Sequence, residues 1–91
     1  MEKVVLNEKE YELIKNYKNG FDIDEVVNKF TDYFDNFDYV CGDWAYGKLR
    51  LKGFYDSNNK LVKYYNNYDK LEEYLKNNCA NEARYFVIKK V

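Results

Sequence analysis

Between Ala45 and Tyr55 the side chains alternate, and that alternation restricts what the chain can fold into more than any other stretch. Ala45, Gly47, Leu49, Leu51 and Gly53 make one set, and Tyr46, Lys48, Arg50, Lys52 and Phe54 the other. A β-strand has a side-chain period of two, so the odd-numbered set is expected to face a core and the even-numbered set to face outward. Asp56-Ser57-Asn58-Asn59 follows, residues whose side chains bond their own backbone and favour a turn. Leu61 to Tyr65 then reads as the return strand. With Tyr55 opposite Lys60, Phe54 faces Leu61, Lys52 faces Lys63 and Arg50 faces Tyr65. This register keeps both faces self-consistent, at the cost of opposing Lys52 with Lys63. The hairpin is expected at the sheet centre, entered through a corner at Gly42-Asp43-Trp44. Asp43 would order that corner by bonding backbone N–H groups, and Trp44 would be core or half-core.

The flanking segments are shorter and more local in their signals. Lys3 to Leu6 and Tyr11 to Asn16 read as an N-terminal hairpin turned at Asn7-Glu8-Lys9, and Asn19-Gly20 breaks the chain. Asp22 to Phe34 predicts a helix, with Asp22 as N-cap, Glu25 at the third helical position, and Ile23, Val26, Val27, Phe30 and Phe34 as one apolar stripe. Phe37 to Cys41 predicts a strand. Asn66-Asn67 caps a second helix from Tyr68 to about Asn78, with Glu72 and Lys76 as an i, i+4 pair. Glu82 to Val91 closes the chain around Tyr85-Phe86-Val87-Ile88, apolar on both faces and therefore expected to be central or covered on both sides. The order is β-β-α-β-β-β-α-β: one α+β domain over residues 1–91, with a mainly antiparallel sheet and two helices.

Composition removes several classes of function. A chain of 91 residues has room for one core, about 12 Å in radius of gyration and stable by about 5–9 kcal/mol. Its net charge of −1 weakens any scheme of tight, non-specific nucleic-acid binding. No apolar run approaches the ~20 residues of a bilayer span, and the charged start MEKVVLNEKEYEL does not read as a signal peptide. Cytoplasmic residence is the default expectation, as a monomer with a weak dimer left open. There is no His and no CxxC, and Cys41 and Cys79 lie far apart, so neither a metal, a cofactor nor a disulfide framework is expected. Both thiols read as buried. Aromatic content is the outlier, with eleven Tyr, six Phe and one Trp. These side chains bury large areas and let a small core be built from few residues.

The stretch DYVCGDWAYGKLRLKGFYDSNNK, preceded by YELIKNYKNGFD and followed by LEEYL and YFVIKK, resembles the YutD-like family of small Firmicute proteins. The likeness covers nearly the whole chain. It places Asp38, Tyr39, Gly42, Asp43, Trp44, Tyr46, Leu49, Arg50, Leu51, Lys52, Gly53, Phe54, Cys79, Tyr85 and Phe86 on the family's pattern. Ala45 stands where that pattern has Gly and Ala83 where it has a second Cys, which removes a cysteine pair from this chain. The resemblance implies a small cytoplasmic α+β domain and no particular activity.

Three functions are open at this level. The outward set Tyr46, Lys48, Arg50, Lys52 and Phe54, joined by Lys63 and Tyr65, forms a basic face with aromatic rims that suits RNA or a ribonucleoprotein; the bland alternative is a solvated face whose lysines discourage edge pairing. High Tyr and Trp content on a small, nearly neutral domain suits a protein adaptor or inhibitor, host- or phage-borne. An enzyme is the remote reading. It would have to use Arg50 with Asp43 or Glu82, since no nucleophile–base pair or phosphate loop is present.

Overall fold

A computed structural model describes residues 2–78 and 83–91. Strands β1 (Glu2–Leu6) and β2 (Lys9–Tyr17) precede helix α1 (Ile23–Lys29). Strands β3 (Tyr39–Ala45) and β4 (Lys48–Phe54), helix α2 (Leu71–Asn78) and strand β5 (Tyr85–Lys90) follow. Short 3-10 turns lie at Asp32–Phe34, Tyr64–Asn66 and Tyr68–Lys70. The strands form one antiparallel sheet in the order β1-β2-β5-β3-β4. This is the expected α+β architecture, with a radius of gyration of 12.3 Å. Cys79 and Glu82 lie outside the described residues.

The N-terminal hairpin forms as its sequence dictates, with Asn7 and Glu8 in the left-handed region at φ 54° and 65°. The cap at Asp22 also forms, its carboxylate accepting from the backbone N–H of Asp24 and Glu25. The helix stops earlier than its apolar stripe. Phe30 is already extended at φ −78°, ψ 122°, and the stripe residues Ile23 and Val27 are exposed, leaving Val26 as the buried anchor. β5 is the middle strand, as its two-sided apolar run requires.

The central expectation needs correction at three points. The hairpin partner of β4 is β3, not Leu61–Tyr65, which holds no strand. Its turn is Tyr46-Gly47, both left-handed at φ 53° and 75°, the geometry that a two-residue hairpin demands. Asp56–Asn59 is a turn, held by Asp38, whose carboxylate accepts from Asp56 N at 2.8 Å and from Asn59 Nδ2 at 3.0 Å. It delivers the chain into the 3-10 turns rather than a strand, so the pairs Phe54–Leu61, Lys52–Lys63 and Arg50–Tyr65 do not exist. Gly42-Asp43-Trp44 is not a corner but the middle of β3. Finally, β4 is a sheet edge and not the centre.

Both faces of the sheet are covered. On one, Val40, Leu49, Phe86 and Ile88 pack with Val26 of α1 and with Tyr11 and Leu13. On the other, Tyr39, Cys41, Phe54 and Val87 pack against Leu71 of α2. The odd residues Leu49 and Gly53 are buried as expected, with Leu51 half-buried. Phe54 departs from the even set because α2 and the Tyr68 turn close over it, leaving it 1% exposed.

Beneath α2, Tyr68 stacks on Tyr39 at 3.7 Å and 4°. Burial, reinforced by Tyr39, Cys41, Glu72 and Tyr85, pushes the Tyr68 hydroxyl from 10.0 up to about 12. Burial also raises Tyr11, with Asp35 contributing, and Tyr85, with Glu72, Cys41 and Tyr17 contributing. The folded chain therefore holds protons that the unfolded chain releases, so this stability is intact below the unfolded value and is lost as pH rises through the folded one. Urea titrations are expected to show a loss of stability between about pH 10 and 12 that is smaller in Tyr68→Phe. Identical pH profiles for the two proteins would contradict the assignment.

Candidate functional site

Four of the sequence-selected residues lie on β4, and the hairpin turn fixes which way each points. Lys48, Arg50 and Lys52 share the α2 face with Phe54, but they do not make an open platform. Arg50 donates through Nε to Asp43 Oδ1 at 3.2 Å and through Nη2 to Oδ2, and Asp43 is 2% exposed. The ammonium of Lys52 sits 5.2 Å from the Phe54 ring centroid and 5.6 Å from that of Tyr74, which half-buries it. Lys48 is exposed beside the turn, and Tyr46 projects fully into solvent at its tip. Phe54 is in the core, where no base can stack on it.

Lys63, Tyr64 and Tyr65 arrive from the opposite side. Lys63 N donates to Asn66 Oδ1 at 2.6 Å, and that buried side chain shapes the 3-10 turn on which the two tyrosines stand. Two shallow grooves of about 390 Å³ each open here. One runs along β4 from Arg50 to Gly53, walled by Tyr33 and Phe37 and by Tyr65 and Tyr74. The other lies between Phe54, Tyr64, Tyr65 and the α2 residues Glu73, Tyr74 and Asn77. Tyr65 and Tyr74 border both. The structure thus brings Arg50, Lys52 and Tyr65 to one groove and leaves Tyr46, Lys48 and Lys63 outside it. Tyr33, Phe37 and Tyr74 complete the walls. Their only signal in the sequence is the density of aromatics, since nothing local says that they meet.

Trp44 belongs elsewhere. Its indole N–H donates to Gly20 O at 2.8 Å, and the Arg84 guanidinium lies 3.9 Å from the ring centroid, which ties β3 to the loop before α1. Among the described residues no group of three or more His, Cys, Asp or Glu side chains could hold a metal ion. No helix among them is long and apolar enough to cross a membrane.

Comparison with known proteins gives a consistent set of likenesses. Residues 5–89 match the family described as "Putative antitoxin YutD-like". A relative from Bacillus subtilis strain 168, named "Putative antitoxin YutD", is 35% identical over 88 residues, covering 97% of each chain. The solution NMR structure of protein yutD from B. subtilis superposes with a TM-score of 0.83 at 34% identity, covering 100% of this chain and 83% of that one.

Proposed function

The chain belongs to the YutD-like family, and from that premise we propose that it is a non-enzymatic binding protein whose partner is another protein, which it inhibits by occupying its surface. One observation carries the reading: Tyr33, Tyr64 and Tyr65 stand 70%, 84% and 61% exposed around the two β4 grooves. Tyrosines displayed in this way supply large, amphipathic contact area, the composition of an interface core. The family's and the relative's printed description, "Putative antitoxin", supports the same direction. The RNA reading has less support, because Arg50 is committed to Asp43, Phe54 is buried, and Lys52 is laid over rings.

Affinity capture with the tagged chain, from a nuclease-treated lysate of its own organism, tests this. A stoichiometric protein partner is expected to survive nuclease. Its affinity for purified Tyr64→Ala/Tyr65→Ala is expected to fall at least tenfold, about 1.4 kcal/mol. Recovery of nucleic acid alone, lost on nuclease treatment, overturns the proposal.

A further inference from the structure

Resting on that reading, we propose that the outer edge of β4 at Leu51 and Gly53 accepts an extended, acidic segment of the partner protein as an added strand. The hairpin turn decides which backbone groups are available. A two-residue turn makes Ala45 and Lys48 a mutually hydrogen-bonded pair, and alternation then directs the N–H and C=O of Lys48, Arg50, Lys52 and Phe54 toward β3. Those of Leu49, Leu51 and Gly53 point away from the sheet. Those of Leu51 and Gly53 meet no hydrogen-bonding partner among the described residues and line the groove along the edge.

The chain itself shows how this lane is used. One residue beyond β4, Tyr55 N donates to Asn66 O at 2.7 Å and Tyr68 N donates to Tyr55 O at 2.9 Å, forming a parallel bridge with Asn67. The Asn66–Tyr68 backbone therefore sits where a sixth strand would run. The 3-10 turn at Tyr64–Asn66 brings the chain into the lane only at this point, and the groove beside the earlier part of β4 is the unfilled remainder. An extended peptide placed there would present alternate side chains to Tyr33 and Phe37 on one wall and to Tyr65 and Tyr74 on the other.

Charge selects the occupant. Lys48 and Lys52 lie along this strand, Lys52 lining the groove; Arg50 between them is paired with Asp43, and none of the groove's lining residues is acidic. Sheet edges are commonly guarded by a bulge or a proline. Here the β3–β4 register is uninterrupted and the chain has no proline.

The probe is a fluorescein-labelled octapeptide of alternating Glu and Val, compared with its Lys-Val counterpart and with octauridine. Anisotropy is expected to show binding of the acidic peptide only. Amide hydrogen exchange is expected to slow selectively at Leu51 and Gly53. Leu51→Pro removes an edge-facing donor and no β3 bond, and is expected to weaken binding at least tenfold. Lys48→Glu leaves the core untouched and is expected to shift the preference toward the Lys-Val peptide. No acidic-peptide binding at millimolar concentration, binding without protection at Leu51 and Gly53, indifference to the charge reversal, or preferential binding of octauridine each overturns the edge proposal. Retention of the captured protein partner alongside any of these results leaves the protein-binding reading standing. Loss of that partner with peptide binding intact does the opposite.

Discussion

Phe86→Ala is expected to remove about 3–5 kcal/mol, most of the stability of a chain whose total is about 5–9 kcal/mol. Phe86 is wholly buried on the middle strand, with its ring edge-on to Phe21 at 5.0 Å. It also fills the space that Gly42 leaves. A Cβ at Gly42 would lie 2.1 Å from Phe86 Cε2. The ring cannot retreat by moving its strand, because β5 is paired to β2 on one side and to β3 on the other. Gly42→Ala is therefore expected to cost about 1–3 kcal/mol or more by overpacking. The two positions share one volume, so Gly42→Ala/Phe86→Leu should cost less than the sum of its single changes by about 0.5–3 kcal/mol. Urea midpoints for the four proteins measure this. Gly42→Ala with an unchanged midpoint, or strict additivity, would show that the ring does not occupy that site.

What the sequence made readable was what it determines locally. The β1–β2 turn, the Asp22 cap, the Asp56–Asn59 turn and the two-sided burial of β5 each follow from a few adjacent residues. The pairing of β4 was not readable. Its turn uses Tyr46 at positive φ, a side chain that rarely adopts that conformation, while Asp56–Asn59 offered a stronger turn signal nearby. The fate of the even-numbered face was not readable either. Alternation reports that two faces exist, but which part of the second face is covered depends on where α2 lands. It lands on Phe54 and leaves Lys48 in solvent. Of the basic-aromatic set only Arg50, Lys52 and Tyr65 come to the groove along β4, and Tyr33, Phe37 and Tyr74, from distant elements, complete its walls.

Arg50→Met is expected to cost about 1–3 kcal/mol, a large loss for a side chain 46% exposed. The cost arises at the other end of the pair. Asp43 is 2% exposed in the middle of β3, directly across from Arg50 in the ladder, and the two-pronged guanidinium contact brings charge to a site that water hardly reaches. Removing one member of a fully buried pair costs about 3–5 kcal/mol, and the partial exposure of Arg50 reduces that through solvent screening. Arg50→Lys keeps the charge but not the planar fork, and is expected to recover only part of the loss. Asp43→Leu/Arg50→Met removes both charges and should be markedly more stable than Arg50→Met alone, because a buried ion pair is readily exchanged for apolar packing while its widowed half is not. The same series separates structure from recognition. If Arg50→Met unfolds at the wild-type urea concentration yet binds the acidic peptide or the captured partner more weakly, Arg50 serves the interface and the strand does not need it. A midpoint lowered in Arg50→Met and restored in the double variant assigns Arg50 to holding β3 and β4 in register, which leaves Lys48 and Lys52 as the cations of that strand for a partner to meet.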